Sequence, residues 1–143
     1  MPDALTSERT SPELLELVKR AQREPKGRFH SLAHRIDLSA LDRAFHRLRK
    51  DAAVGVDGVT KAAYGEALSG NPADLHERLK SMRYRHQLLR VHIPKEQGKW
   101  RPIGISAFED KIVQDAVREV LEAVYEQDLL DCSYAFRPKR GCP

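Results

Sequence analysis

Apolar residues recur at three-to-four-residue spacing over much of this chain and at every second position over 89–93 and 100–105. The first helical stretch is well punctuated. Ser11 can cap it, Pro12 suits the first helical position, and Glu13 and Glu16 favour its positive end. Leu14, Leu15, Leu17, Val18 and Ala21 are mostly core-facing, and Pro25-Lys26-Gly27 stops the run. Leu38, Leu41, Ala44, Phe45 and Leu48 predict a second helix over about 39–52, with Ser39 and Asp42 as a variant capping box. Val54-Gly55-Val56-Asp57-Gly58-Val59-Thr60 breaks that pattern and reads as a loop with at least one positive φ. A further helix is capped near Thr60, and another begins at Asn71-Pro72 and runs to about residue 84.

The period then changes from helical to alternating. Leu89-Arg90-Val91-His92-Ile93 alternates, as does the stretch from Trp100 to Ile105, interrupted by Pro102 and Gly104. Pro94-Lys95-Glu96-Gln97-Gly98-Lys99 between them is a polar turn, so the whole reads as a β-hairpin. Phe108, Ile112, Val113, Ala116, Val117, Val120, Leu121 and Val124 then form a continuous stripe. This predicts a core helix of about five turns, opened by a Ser106–Glu109 capping box. The fold class that follows is α+β, mostly helical, with one antiparallel β-hairpin packed against the long helix.

Composition narrows the classes without choosing one. The 143 residues are 41% apolar and 32% charged, which disfavours both disorder and a membrane protein. No run approaches the ~18 apolar residues of a membrane span, and the N-terminus lacks the apolar segment of a secretory signal. Cys132 and Cys142 make neither a disulfide framework nor a metal-ligand spacing, so a reducing cytoplasm fits.

Net charge is +4, but its distribution says more. Residues 83–101 hold six bases (Arg83, Arg85, Arg90, Lys95, Lys99, Arg101) against Glu96 alone, a local +5. Residues 106–130 hold seven acids against Lys111 and Arg118, a local −5. One face is then suited to an anion, although a basic surface that is merely solvated gives the same pattern.

Most enzyme templates find nothing. There is no glycine-rich phosphate loop, no grouped histidines and no calcium-type aspartate pattern. Asp110, Asp115 and Glu119 read as the solvated polar face of the last helix. The informative stretch is Ile93-Pro94-Lys95-Glu96-Gln97-Gly98-Lys99-Trp100-Arg101-Pro102-Ile103-Gly104-Ile105. Lys95 before the turn and Arg101 after it project two cations across a short gap, a geometry suited to polyphosphate. An edge hairpin kept soluble by lysines accounts for the same residues.

Four stretches, in order, resemble group II intron reverse transcriptases, the intron-encoded maturases of bacteria. They are Phe29-His30-Ser31-Leu32, the Gly55–Thr60 loop, the hairpin, and Asp110-Lys111-Ile112-Val113-Gln114 leading to Ser133-Tyr134-Ala135-Phe136-Arg137-Pro138. The resemblance implies an N-terminal helical segment (1–28) and a fingers-like portion of an RNA-directed DNA polymerase (29–143). It assigns Lys95 and Arg101 to the incoming nucleotide's triphosphate. It places Arg85, Arg90, Ile105, Gly55, Asp57, Gly58 and Arg137 near template or intron RNA. The family uses magnesium, held by aspartates in later blocks that include Tyr-Ala-Asp-Asp. This sequence has neither that tetrad nor two adjacent aspartates, and Ala135 replaces a usual glycine. Two-metal phosphoryl transfer needs such carboxylates, so the chain is expected to be inactive alone and to bind no cofactor by itself. It reads as a piece cut or truncated before the palm. RNA and deoxynucleotides are the expected partners, with no membrane. The alternatives are a stand-alone RNA-binding module or a self-associating one, a homodimer through the stripe of the last helix.

Overall fold

The computed structural model describes residues 11–51, 53–68, 70–135, 137 and 140. Among them are five α-helices and one two-stranded antiparallel sheet, so helix and sheet are mixed as the apolar pattern predicts. Two compact units form, one from Ile36–Ala116 and one from Met1–Arg35 with Val117–Pro143.

In the second of these, α1 (Pro12–Arg23) starts as expected, with the Ser11 hydroxyl accepting from the Leu14 amide. Leu14, Leu17, Val18 and Ala21 of α1 are buried, as are Val120, Ala123 and Val124 of the last helix. Arg35 bonds Glu13 at 3.3 Å, and Gln22 donates to Gln127 at 3.0 Å. Phe136 and Pro138, part of the last of the four matching stretches, lie outside the described residues, as do Lys139, Gly141, Cys142, Pro143, Ala52, Ser69 and residues 1–10.

The Ile36–Ala116 unit holds α2 (Leu38–Arg47), α3 (Lys61–Glu66), α4 (Asn71–Lys80), β1 (Leu88–Pro94), β2 (Trp100–Ser106) and the start of α5 (Phe108–Tyr125). Leu41, Ala44, Phe45, Tyr64, Leu75, Phe108, Ile112 and Ala116 make its core. Three rings organise it. Phe45, Tyr64 and Phe108 stand 5.0–6.3 Å apart, in tilted and edge arrangements that aromatic quadrupoles favour.

Several helix ends differ from expectation. The cap of α2 is Asp37, whose carboxylate accepts from Ala40 N at 2.7 Å, and not Ser39. That helix stops at Arg47 because Leu48 is extended, and Lys61 Nζ donates to the freed carbonyls of His46 and Leu48. Thr60 caps α3 as expected. Asn71 sits inside α4 and does not cap it; its side-chain amide donates instead to Tyr64 O in the last turn of α3. This helix ends at Lys80, short of residue 84, because Met82 turns into the left-handed region and the Arg83 and Tyr84 amides fold back onto Arg78 O.

Candidate nucleic-acid interface

The hairpin pairs Leu88 with Ser106, Leu89 with Ile105, Arg90 with Gly104, Val91 with Ile103, His92 with Pro102, Ile93 with Arg101 and Pro94 with Trp100. Opposed residues share a face and the face alternates along each strand. One side therefore carries Leu89, Val91, Ile93, Ile103 and Ile105, with Arg101 toward the tip. Lys95 N donates to Lys99 O at 2.7 Å and both residues are extended, so the alternation continues into the turn. Lys95, Lys99 and Arg101 thus stand together on that side. Arg90 belongs to the opposite one. Gln97 and Gly98 close the tip, both at positive φ.

None of Arg85, Arg90, Lys95, Lys99 and Arg101 has an ion pair or side-chain hydrogen bond among the described residues. Arg83 is different, bonding Ser81 and lying 3.8 Å from Glu77. Four of these cations, Arg90, Lys95, Lys99 and Arg101, stand on the hairpin without a partner among the described residues.

The root of the hairpin is built around a carboxylate that the sequence pattern misassigned. Asp110, expected on a solvated face, is 2% exposed. Its oxygens accept from Gln87 N at 3.0 Å, Ala107 N at 3.1 Å and the Tyr84 hydroxyl, and they meet His86 Nδ1 at 3.0 Å. Gln87 precedes β1 and Ala107 follows β2, and Ala107 N also donates to Gln87 O. One carboxylate thereby holds both ends of the hairpin on the first turn of α5. Burial pushes the Asp110 carboxyl up, but the hydrogen bonds from Tyr84, Gln87 and Ala107 and the charge of His86 outweigh it and hold it below its ordinary range. Burial, and then Asp110 itself, push the Tyr84 hydroxyl well up.

The expected Ser106–Glu109 capping box is also replaced. The Ser106 hydroxyl accepts from Gln114, and Glu109 takes the Tyr64 hydroxyl and Arg78, the latter at 2.7 Å. Burial opposes the charge of Arg78, but Glu109 and Asp74 more than offset this and raise its pKa further. Phe108 N instead donates to Asp57 at 2.9 Å.

A cavity of about 470 Å³ opens beside this root, lined in part by Asp57, Tyr64, Arg78, Tyr84, Arg85 and Glu109. The structure thus brings Asp57 and Arg85 together, with Gly55 packed on the Ser106–Ala107 backbone beneath β2. Gly58 holds the loop's positive φ, with open space where a Cβ would stand. Ile105 is half-buried opposite Leu89. Arg137 lies in the other unit, its side chain 7% exposed, and donates to Glu126, Leu130 O and Ser133 O. Among the described residues no three acids, histidines or cysteines are grouped to hold a metal ion, and no helix is long and apolar enough to cross a membrane.

No family model matches the chain. It is 42% identical over 88 residues to Protein YkfC of Escherichia coli (strain K12), covering 61% of this chain and 23% of that protein. It is 45% identical over 60 residues to the group II intron-encoded protein LtrA of Lactococcus lactis subsp. cremoris, covering 41% and 10%. A 91 kDa protein in the cob intron of Schizosaccharomyces pombe is 45% identical over 53 residues, covering 37% and 7%. Part of this chain is a region related to group II intron-encoded reverse transcriptase/maturase proteins. The match spans less than a quarter of the length of each of these relatives.

Proposed function

We propose that residues 29–143, preceded by a helical segment at 1–28, act as the fingers-like, RNA-contacting part of a group II intron-encoded reverse transcriptase/maturase. The observation that carries this is the hairpin, whose cations have no partner among the described residues while its root is held by hydrogen bonds to the buried Asp110. A rigid mount with uncompensated positive charge suits a polyanion. Lys95 and Arg101, on one face with Lys99 between them, would grip the triphosphate of an incoming deoxynucleotide. Lysine supplies a point charge there and arginine a fork for two oxygens. Arg85, Arg90 and Ile105, with the loop of Gly55, Asp57 and Gly58, would lie along the RNA. Arg137 would act at a distance, by ordering the segment that follows α5. Polymerisation by this chain alone is not part of the proposal, because among the described residues no carboxylates are grouped to hold two metal ions.

The test is salt dependence of RNA binding. Four phosphates neutralised on single-stranded RNA give a slope of log K against log salt near −0.7 × 4, or about −3. Replacing Arg85, Arg90, Lys95 and Arg101 by alanine should flatten it. An unchanged slope in that variant would remove the hairpin from the interface.

A further inference from the structure

On one side of the hairpin only Arg90 has a place in the proposed RNA contact. Arg90, His92, Pro94, Trp100, Pro102 and Gly104 share it by register, and all six are exposed. Trp100 is the chain's one tryptophan and is 65% exposed, on a strand rather than a loose loop. Large aromatics are normally drawn inside, so an indole held in water on a fixed backbone is a surface in search of a cover. Its surroundings are low. Pro94 lies opposite, Pro102 opposite His92, and Gly104, opposite Arg90, has no side chain of its own and is overlain by the exposed Leu88. Arg90 has no partner among the described residues, and the acid of the hairpin, Glu96, sits in the turn.

The occupant therefore has to supply negative charge and a flat ring in alternation. A single-stranded nucleic acid does both, since every base offers a π-face and every linkage a phosphate. An acidic peptide answers the charge but not the indole. A duplex keeps its ring faces stacked inside.

We propose that this outer face of the hairpin binds single-stranded nucleic acid, with a base stacked on Trp100 and flanking phosphates on Arg90 and His92. The inference rests on the RNA-binding reading for its class of partner, but it uses the side opposite Lys95, Lys99 and Arg101. The hairpin would then stack a base on this side and hold a triphosphate on the other.

The lone tryptophan makes the test direct. The full chain is titrated with single-stranded oligouridylate, following tryptophan emission and, in parallel, the anisotropy of a labelled oligonucleotide. Saturable quenching that tracks the anisotropy is expected. Trp100→Ala should weaken binding about 5- to 150-fold, the usual worth of one stacked base, while Trp100→Phe keeps most of the affinity. Lys95→Ala with Arg101→Ala should leave the quenching in place. Binding without quenching, or a Trp100→Ala variant that binds like the parent, overturns this inference and leaves the RNA-binding reading standing. Equal quenching by polyglutamate also overturns it, by showing that charge alone is read. No binding by either signal ends both readings.

Discussion

The carboxylate of Asp57 accepts the amide hydrogen of Phe108 at 2.9 Å, across 51 residues of sequence. The same side chain accepts from Val59 N at 3.3 Å, so one group both turns its own loop and supplies the start of α5 with an acceptor. Lys111 reaches back from that helix to Ala53 O at 2.7 Å. The glycine-rich loop is in this way sewn to the junction between β2 and α5, where the hairpin is rooted.

Gly55→Ala tests that junction. A Cβ on Gly55 would collide with Ser106 O and come within 3.0 Å of the Ala107 backbone, which cannot yield as a flexible side chain would. The substitution should cost about 1–3 kcal/mol, the usual toll of overpacking. Urea unfolding measures it. A midpoint unchanged from the parent would show that the loop does not press on the junction.

Asp110 should govern acid stability. Its carboxyl is held below the ordinary value in the folded chain, with burial opposed by Tyr84, Gln87, Ala107 and His86. A depressed carboxyl contributes stability that is complete above its unfolded value, about 3.9, and is lost as pH falls through the lower folded value. Asp110→Asn should destabilise the chain by about 3 kcal/mol at neutral pH, because the amide turns a donor toward groups that already donate. It should also flatten the decline of stability below about pH 4. Urea midpoints from neutral to acid pH read both effects, and an equally steep acid decline in the variant would assign it elsewhere.

A homodimer through α5, expected from its apolar stripe, has only part of that stripe to offer. Val120, Ala123 and Val124 are buried within the chain, while Leu121 is 44% and Tyr125 58% exposed. Leu121→Asp, with helicity retained, should dissociate such a dimer, whereas Val124→Asp would strike the interior. Light scattering after size exclusion decides, and a parent mass near 16.3 kDa at tens of micromolar would end the idea.

Where the signals were local, the residues spoke for themselves. Ser11 with Pro12 opens α1, Thr60 caps α3, and the two alternating runs pair as β1 and β2. The failures share a cause. The Ser106–Glu109 box is displaced by one residue, since Ala107 O accepts the first helical bond, from Lys111 N, and Asp110 returns a bond to Ala107 N. What marks the box as displaced is a set of partners far away in sequence, with Asp57 supplying an oxygen that alanine lacks and Arg78 and Tyr64 drawing Glu109 aside. Periodicity alone put Asp110 on the wet side of the helix, because nothing in a linear pattern shows residues 84–87 lying over its first turn. The one available cue was an aspartate three positions past a possible cap at residue 107. Arg137 escaped for a similar reason. It looks like a free cation beside aromatics, yet its fork closes on Glu126 and two carbonyls.

Asp110 gives the two strands of the hairpin a common anchor. Because Gln87 and Ala107 are fixed by the same side chain, the strands leave the core and return to it at one point. Such a mount makes the 88–106 segment an interchangeable tool head. Its tip can be lengthened, shortened or recharged by mutation while the holder stays unaltered, which opens an evolutionary route to new ligands that leaves the fold untouched.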